Sequence, residues 1–334
     1  MEKRKTIIVN ASASKTGGAK TIVDTYVEYL VENETLNRYV IISPHIYDTS
    51  NENLTFIKKS TSNLSTILFT LFFVRAYCKK YNADKIISFN NINVLFSSID
   101  KVTYFHQLKL LKGEYKEFKL KIYSLIIKYF LKNSIFVVQS PYVRKLFVQK
   151  FSNAKIIVCW PGFSSPVHLE LPDELKAELR SFKSKFGRVG LIPINYDARH
   201  KNIDLIVHNL NTFSKLNLGL VSLLSDPGRF KDSENLVCIG AISRPILFAL
   251  YEVIDFIIYP SLDETIGLPI IEFLQTTKPA FVFEAEYAVG IYEELNKPKN
   301  FILFNQENLV QNLNNNINIK GDKVDYSIGA WHKL

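Results

Sequence analysis

The sequence predicts an α/β protein built from two successive Rossmann-like halves that face each other across a cleft. Three observations lead there. Short β-branched and aromatic runs alternate with longer stretches of helical periodicity. Those runs are continuously apolar, as strands are in a parallel sheet covered on both faces. The alternation breaks once, in a polar segment, and then restarts. The 334 residues suit about two domains of roughly 150 residues each.

Each element follows in chain order. "TIIVNAS" reads as a strand leading into "KTGGAKTIVDTYVEYLVEN", where Ile22, Tyr26, Tyr29 and Leu30 recur at helical spacing. "YVIIS" is a second strand, "STILFTLFFVRAYCKKY" a helix, and "KIISFN" and "VTYFH" two more strands. "SIFVVQS" precedes "PYVRKLFVQKF", where Pro141 suits a helix start. "KIIVCWPG" closes this half. The polar segment "FSSPVHLELPDELKAELRSFKSKFG" reads as the junction. The second half then runs strand "RVGLIPIN", helix "NIDLIVHNLNTF", strands "LGLVSLLS" and "NLVCIG", helix "SRPILFALYEV", strand "DFIIYP", helix "PIIEFLQTT" and strand "AFVF". The tail from Asn305 is Asn-rich and weakly patterned. We place the first domain at residues 1–165 and the second at 166–334, with the last residues free to pack back on the first. In such sheets ligands gather at the carboxyl ends of the strands.

Composition narrows the function classes. The chain is 47% hydrophobic and 22% charged, enough to fill cores and too apolar for a disordered chain. A formal charge of +9 favours anionic partners. Cys78, Cys159 and Cys238 are far apart and form no CxxC pair, so neither a zinc site nor a disulfide framework is indicated. The apolar run Thr6 to Val9 is shorter than the about 7–15 residues of a signal-peptide core. "ILFTLFFV" falls short of the ~20 residues that span a bilayer. These features suit a cytoplasmic protein, with peripheral attachment to the inner face of the cell membrane left open.

The chemistry concentrates in "YPSLDETIGLPIIEFLQ". A strand ending at Pro260 delivers a loop carrying Glu264 to the sheet's carboxyl edge. Gly267 lets the backbone approach a ligand, and Pro269 fits a helix start whose free N–H groups suit a phosphate. Glu272 sits one turn in. In a solvent-accessible cleft, one carboxylate could meet sugar chemistry while the other accepts hydrogen bonds from ribose hydroxyls; a surface loop residue plus helix decoration would look the same. About sixty residues earlier, "INYDARHKNIDLIV" sets Arg199 and Lys201 between a strand and a helix. Two cations there could neutralise a diphosphate, or simply cap a helix on a basic protein. In the first half, Gly17 and Gly18 follow a strand, as in a phosphate loop or an ordinary turn. His106 follows another strand, where a lone histidine is usually structural. In "KGEYKEFKLKIYSLIIKYFLKN", Glu117, Lys121, Ser124, Lys128 and Lys132 form one polar stripe. A core helix with a wet edge and a helix on an anionic membrane surface, over residues 112–132, fit equally well.

The stretch "PSLDETIGLPIIEFLQTTKPAFV" resembles the signature of family 4 glycosyltransferases, whose two-Rossmann-domain fold is called GT-B. It keeps Pro260, Ser261, Glu264, Gly267, Leu268, Pro269 and Glu272. It departs at Thr265, Ile266 and Lys278, where the family has Gly, Phe and a "GTPV" sequence. "RHKNIDLIV" is similar to the family's R-x-x-x-x-K-N element: Lys201 matches its lysine, its arginine falls on Tyr196, and Arg199 would stand in from one turn away. The resemblance implies a metal-independent, retaining hexosyltransferase-type enzyme with no cofactor. Its donor would be a nucleotide-diphosphate sugar, a UDP-sugar preferred. Its acceptor would be a saccharide or lipid-linked saccharide in surface polysaccharide assembly, of lipopolysaccharide O-antigen or capsule type. Glu264, His106, Lys201 and Arg199 would be catalytic. Gly17, Gly18, Tyr196, Gly240, Ile242, Thr265, Ile266, Gly267, Leu268 and Glu272 would bind donor, with Gly240, Ala241 and Ile242 facing the base. A sugar-nucleotide epimerase of the same fold is an alternative, as is a non-enzymatic basic protein binding nucleic acid or a membrane surface. No RNA-binding motif supports the nucleic acid, and none is expected as a partner.

Overall fold

The computed structural model describes residues 3–114, 118–131, 134–166, 170–226, 228–230 and 233–334. The chain divides into two compact units. One comprises residues 1–163 with 328–334, the other residues 164–327. We call them the amino and carboxyl units.

Among the described residues, the amino unit holds a seven-stranded parallel sheet. Its strands are β1 (Thr6–Asn10), β2 (Arg38–Ser43), β3 (Leu54–Lys58), β4 (Lys85–Ser88), β5 (Asp100–Tyr104), β6 (Ile135–Val138) and β7 (Lys155–Val158), in the order β3-β2-β1-β4-β5-β6-β7. Strand β1 shows why the runs are unbroken. Its odd residues, Ile7 and Val9, enter a core with Tyr26, Ile41 and Trp331. Ile8 enters the opposite core with Val40, Ile42 and Val74. Successive side chains point to opposite faces, and helices cover both, so every position is apolar.

The carboxyl unit carries a six-stranded parallel sheet. Its strands are β8 (Arg188–Ile192), β9 (Leu218–Ser222), β10 (Leu236–Cys238), β11 (Phe256–Tyr259), β12 (Ala280–Phe283) and β13 (Phe301–Phe304), in the order β10-β9-β8-β11-β12-β13. The order reverses between β8 and β11, which pair directly through Gly190 and Phe256. A Cβ at Gly190 would overlap the Phe256 ring, so the glycine admits the neighbour's aromatic. Both sheets are parallel and doubly covered, as the sequence predicts.

Some elements differ from expectation. The supposed junction contains a helix, Asp173–Phe186, that buries Leu179, Phe182 and Phe186 and ends at Gly187 with φ 70°. The expected helix over residues 65–81 is interrupted by a π-helical turn, Phe69–Phe73. Strands β3 and β13 and the helices Glu286–Glu294 and Leu309–Asn316 were not anticipated. The last forms in an Asn-rich stretch because Leu309 and Leu313 fall on one face and are buried. Residues 328–334 belong to the amino unit. There Trp331 packs 5.1 Å from Tyr26 and 5.8 Å from Tyr104 by ring centroids.

Candidate active site

Because β8 and β11 are neighbours, the loops at their carboxyl ends meet. The β8 loop leads to a short 3-10 turn, Arg199–Lys201. Its backbone is sewn to the β11 loop: Leu262 donates to the His200 carbonyl at 2.7 Å, as does the Ser261 hydroxyl at 3.1 Å. The Asn202 amide donates to the Pro260 carbonyl at 3.2 Å. Asn202 takes a positive φ of 53°, a conformation asparagine tolerates better than most residues, and so starts the next helix.

This framework brings Lys201 and Glu264 together. Lys201 is only 7% exposed, and its ammonium lies 2.5 Å from Oε1 of Glu264. The same oxygen accepts from the Tyr259 hydroxyl at 3.0 Å and lies 2.9 Å from the Ser261 hydroxyl, whose single proton it shares with the His200 carbonyl. Burial, then the Glu264 charge, pushes the Tyr259 phenol far above its ordinary range, so it stays a donor. Among the described residues, Oε2 of Glu264 accepts no hydrogen bond. Tyr196, half exposed, turns its ring face to Lys201 at 5.1 Å. Arg199 is exposed beside them.

Below Glu264, Thr265 is half-buried and Ile266 is buried, so the Ile266 side chain packs inward. Gly267 caps the helix Leu268–Leu274 with φ 59°. A Cβ there would lie 2.8 Å from Ile270 Cδ1, so glycine is required for both conformation and space.

Glu272 departs from expectation. Its residue is 2% exposed, not solvent-accessible. Its Oε1 accepts from Arg244 Nη1 at 2.6 Å and its Oε2 from the Tyr251 hydroxyl at 3.3 Å. The reason is helix packing: the helix Arg244–Val253 lies against the helix that carries Glu272. Arg244 also donates to the Ser164 carbonyl at 3.2 Å and stacks on Phe248 at 5.1 Å. Burial raises the Glu272 pKa, and the Arg244 charge opposes that rise. Gly240, with φ 74°, and Ile242 lie in the partly exposed loop that leads to Arg244.

In the amino unit, Gly17 (φ 65°) and Gly18 open the 17-residue helix Gly17–Asn33 after β1. Both are exposed, and a Cβ at either would meet nothing within 4 Å. His106 follows β5. Its backbone N–H donates to Asn91 Oδ1 at 2.8 Å, and its Nε2 lies 3.3 Å from Asn91 Nδ2. Burial lowers its pKa to about 4, so the ring is neutral and Nε2 accepts from the amide.

No family model matches this chain, and no curated protein matches it. Solved structures do. Sucrose-phosphate synthase from Thermosynechococcus elongatus superposes with a TM-score of 0.69 at 17% identity, over 94% of this chain and 90% of that one. WaaG, a glycosyltransferase involved in lipopolysaccharide biosynthesis, gives 0.63 at 13% identity over 93% and 90%. HepE from Anabaena, in complex with UDP and glucose, gives 0.61 at 14% identity over 94% and 90%. The fold is GT-B.

Within this GT-B chain, sequence reasoning singled out Lys201, Glu264, Gly267 and Glu272, named Ser261 only as a matching residue, and missed three partners: Arg244, Tyr251 and Tyr259. Arg244 did leave a signal. A cation in the first turn of a helix opposes the helix dipole, and "SRPILF" places one there next to a proline. Such a residue needs a carboxylate, and Glu272 is that carboxylate. Among the described residues, no group of three or more His, Cys, Asp and Glu is placed to hold a metal ion.

Proposed function

We propose that the chain is a retaining, metal-independent glycosyltransferase of the hexosyltransferase type. It moves a sugar from a nucleotide-diphosphate donor, a UDP-sugar first among candidates, to a hydroxyl of a lipid-linked saccharide in surface polysaccharide assembly. The observation that carries this reading is the Lys201–Glu264 pair at 2.5 Å on the carboxyl ends of adjacent strands. A buried ammonium held by one carboxylate is a preorganised cation. It meets the negative charge that builds on a leaving diphosphate without reorganising water.

In this reading Lys201 keeps Glu264 as one acceptor and turns its remaining N–H bonds to the diphosphate, with Arg199 beside it and the backbone N–H groups at Gly267 and Leu268 adding donors. Tyr196 flanks the ammonium. Oε2 of Glu264 takes a hydroxyl of the donor sugar, and Thr265 and the Ile266 backbone shape its loop. Gly240 and Ile242 border the base. Glu272 takes the ribose hydroxyls: a carboxylate offers about four lone-pair positions, and Arg244 and Tyr251 use two. Arg244, whose side chain is 29% exposed, has to swing aside to admit them. The donor-binding roles of Gly17 and Gly18 and the catalytic role of neutral His106 rest on the family resemblance alone. Support for the donor class also comes from HepE, solved with UDP and glucose, and for the polysaccharide setting from WaaG.

A cytoplasmic protein peripheral on the membrane fits the helix Phe118–Phe130. Its stripe residues Lys121 and Lys128 share an exposed face with Phe118, Leu125 and Tyr129, the mixture that lies in a membrane interface. Glu117 and Lys132, the stripe's other ends, lie outside the described residues. Among the described residues, no helix is long and apolar enough to cross a membrane.

A thermal-shift screen against UDP-, GDP-, dTDP- and CMP-sugars tests the function. A donor at 100 times its Kd adds about 2.7 kcal/mol to stability, a rise of several degrees. The rise should appear with UDP-sugars and shrink in Lys201→Ala. No shift with any nucleotide sugar would overturn the reading.

A further inference from the structure

The amino unit carries a second apolar surface that the proposed reaction does not use. Residues 63–80 form one helical rod, broken by the π-helical turn at Phe69–Phe73. A π turn inserts an extra residue and shifts the register. Here it leaves neighbours Phe72 and Phe73 50% and 61% exposed, while Phe69 and Leu71 are buried. Leu64 and Leu68 are exposed on the same rod. A backbone hydrogen bond of 3.1 Å from Leu95 to Leu71 fastens the following loop to it. That loop presents Phe96, 69% exposed at φ 50°. Positive φ is uncommon for a bulky residue, and a phenyl ring so exposed gains nothing from water unless something covers it.

Against the rod lies a cavity of about 600 Å³, walled by Leu68, Phe69, Phe73 and Tyr77 and rimmed by Lys59 and Lys80. Its size is that of a small-molecule site. The Lys59 ammonium sits over the Phe69 ring at 5.6 Å, a cation–π contact in the lining of the cavity. The charge around it has one sign: residues 53–83 contain Lys58, Lys59, Arg75, Lys79 and Lys80 and no Asp or Glu. An apolar cavity with a cationic rim and exposed phenylalanines beside it is complementary to one kind of molecule: an anion with a hydrocarbon tail.

We propose that this groove binds an anionic phospholipid of a membrane leaflet. One acyl chain fills the cavity along Leu68 and Phe73, and the phosphate lies between Lys59 and Lys80. Phe72 and Phe96 enter the interface beside it. The site is separate from the helix Phe118–Phe130 and does not rest on the glycosyltransferase reading, since lipid binding is read without donor or acceptor.

The test is sedimentation of the full chain with vesicles of phosphatidylcholine alone or mixed with phosphatidylglycerol, at low and high salt. A photoactivatable phosphatidylglycerol is crosslinked in parallel, and its adducts are mapped by mass spectrometry. Each basic residue near an anionic surface contributes about a factor of five to partitioning. The double variant Lys59→Glu, Lys80→Glu should therefore lose more than about ten-fold in binding to mixed vesicles. Phe72→Ser with Phe73→Ser should lose a similar amount, and crosslinks should fall within residues 64–80. All substituted side chains are exposed, and melting curves check that both variants keep the parental fold. Lys121→Glu with Lys128→Glu should keep the crosslinks within 64–80 even where total binding falls. The proposal fails if the folded variants bind like the parent, or if crosslinks map only to residues 118–130. It fails equally if the parent is a dimer that the phenylalanine variant converts to a monomer, since the occupant is then a second copy of the chain.

Discussion

Replacing Glu272 with alanine should destabilise the carboxyl unit before any effect on catalysis is considered. The residue is 2% exposed, and its carboxylate accepts from Arg244 at 2.6 Å and Tyr251 at 3.3 Å. Breaking a buried ion pair from one side costs about 3–5 kcal/mol when the surviving charge stays buried. Arg244 keeps the Ser164 carbonyl and reaches water, so its share is smaller. The Tyr251 hydroxyl is left buried without its acceptor, at about 1–3 kcal/mol. Together these give about 3 kcal/mol. In a unit of this size each kcal/mol lowers Tm by roughly 2–4 °C, a fall of about 6–12 °C. Glutamine keeps an oxygen for Arg244 and removes the charge that burial penalises, so Glu272→Gln should cost about 1 kcal/mol. The pH dependence has a definite sign. The folded pKa of Glu272 lies above its ordinary value because burial outweighs Arg244. The folded state therefore holds the proton more tightly, and this residue's stabilising contribution is full in acid and lost as pH rises through the folded pKa. The cost of Glu272→Gln should accordingly be smaller at pH 7.5 than at pH 4. Calorimetric melting of the three proteins at both pH values decides it. Parental stability in Glu272→Ala, or a glutamine cost that grows with pH, would refute the reasoning.

Other substitutions separate chemistry from packing. Lys201→Ala should lower kcat/KM by about 10²–10³, the loss that follows removal of one preorganised electrostatic donor, and steady-state kinetics on a UDP-sugar would measure it. Glu264→Ala should act mainly on kcat while calorimetric UDP affinity changes little, because its free oxygen meets the sugar and not the nucleotide. His106 should titrate near pH 4 in its ring-proton NMR signal. Its depressed pKa makes its contribution to stability fall as pH drops from about 6.5 toward 4, a slope that His106→Gln should remove. Activity should survive excess EDTA; a strict need for added Mg²⁺ or Mn²⁺ would contradict the role given to Lys201.

What could be read from sequence alone was local. The run Phe256–Tyr259, the stop at Pro260 and the glycine at 267 each announce themselves within a few residues, and the strand, the loop and the positive φ all follow. The meeting of Lys201 with Glu264 is different. It depends on β11 lying beside β8 rather than beside its sequence neighbour β10, and strand order is a property of the whole sheet. The Arg244–Glu272 pair depends on how two helices pack, which periodicity does not specify. Strand β3 escaped notice because its burial is partial and it carries Thr and Lys, as an edge strand does. The helix at 309–316 was hidden by asparagine, whose weak helix propensity is overridden by two buried leucines.

The return of residues 328–334 to the amino unit has a consequence for biosynthesis. Trp331 completes an aromatic cluster whose other members, Tyr26, Phe89 and Tyr104, leave the ribosome early. Residues 164–327 must be translated before that tryptophan exists, a wait of about 8–33 s at roughly 5–20 residues per second. Throughout it the nascent amino unit holds an open notch lined by aromatic rings. The carboxyl unit, whose chain is contiguous, is whole as soon as it emerges. The half synthesised first is thus the half finished last, and a chaperone that favours exposed aromatics would find its substrate there.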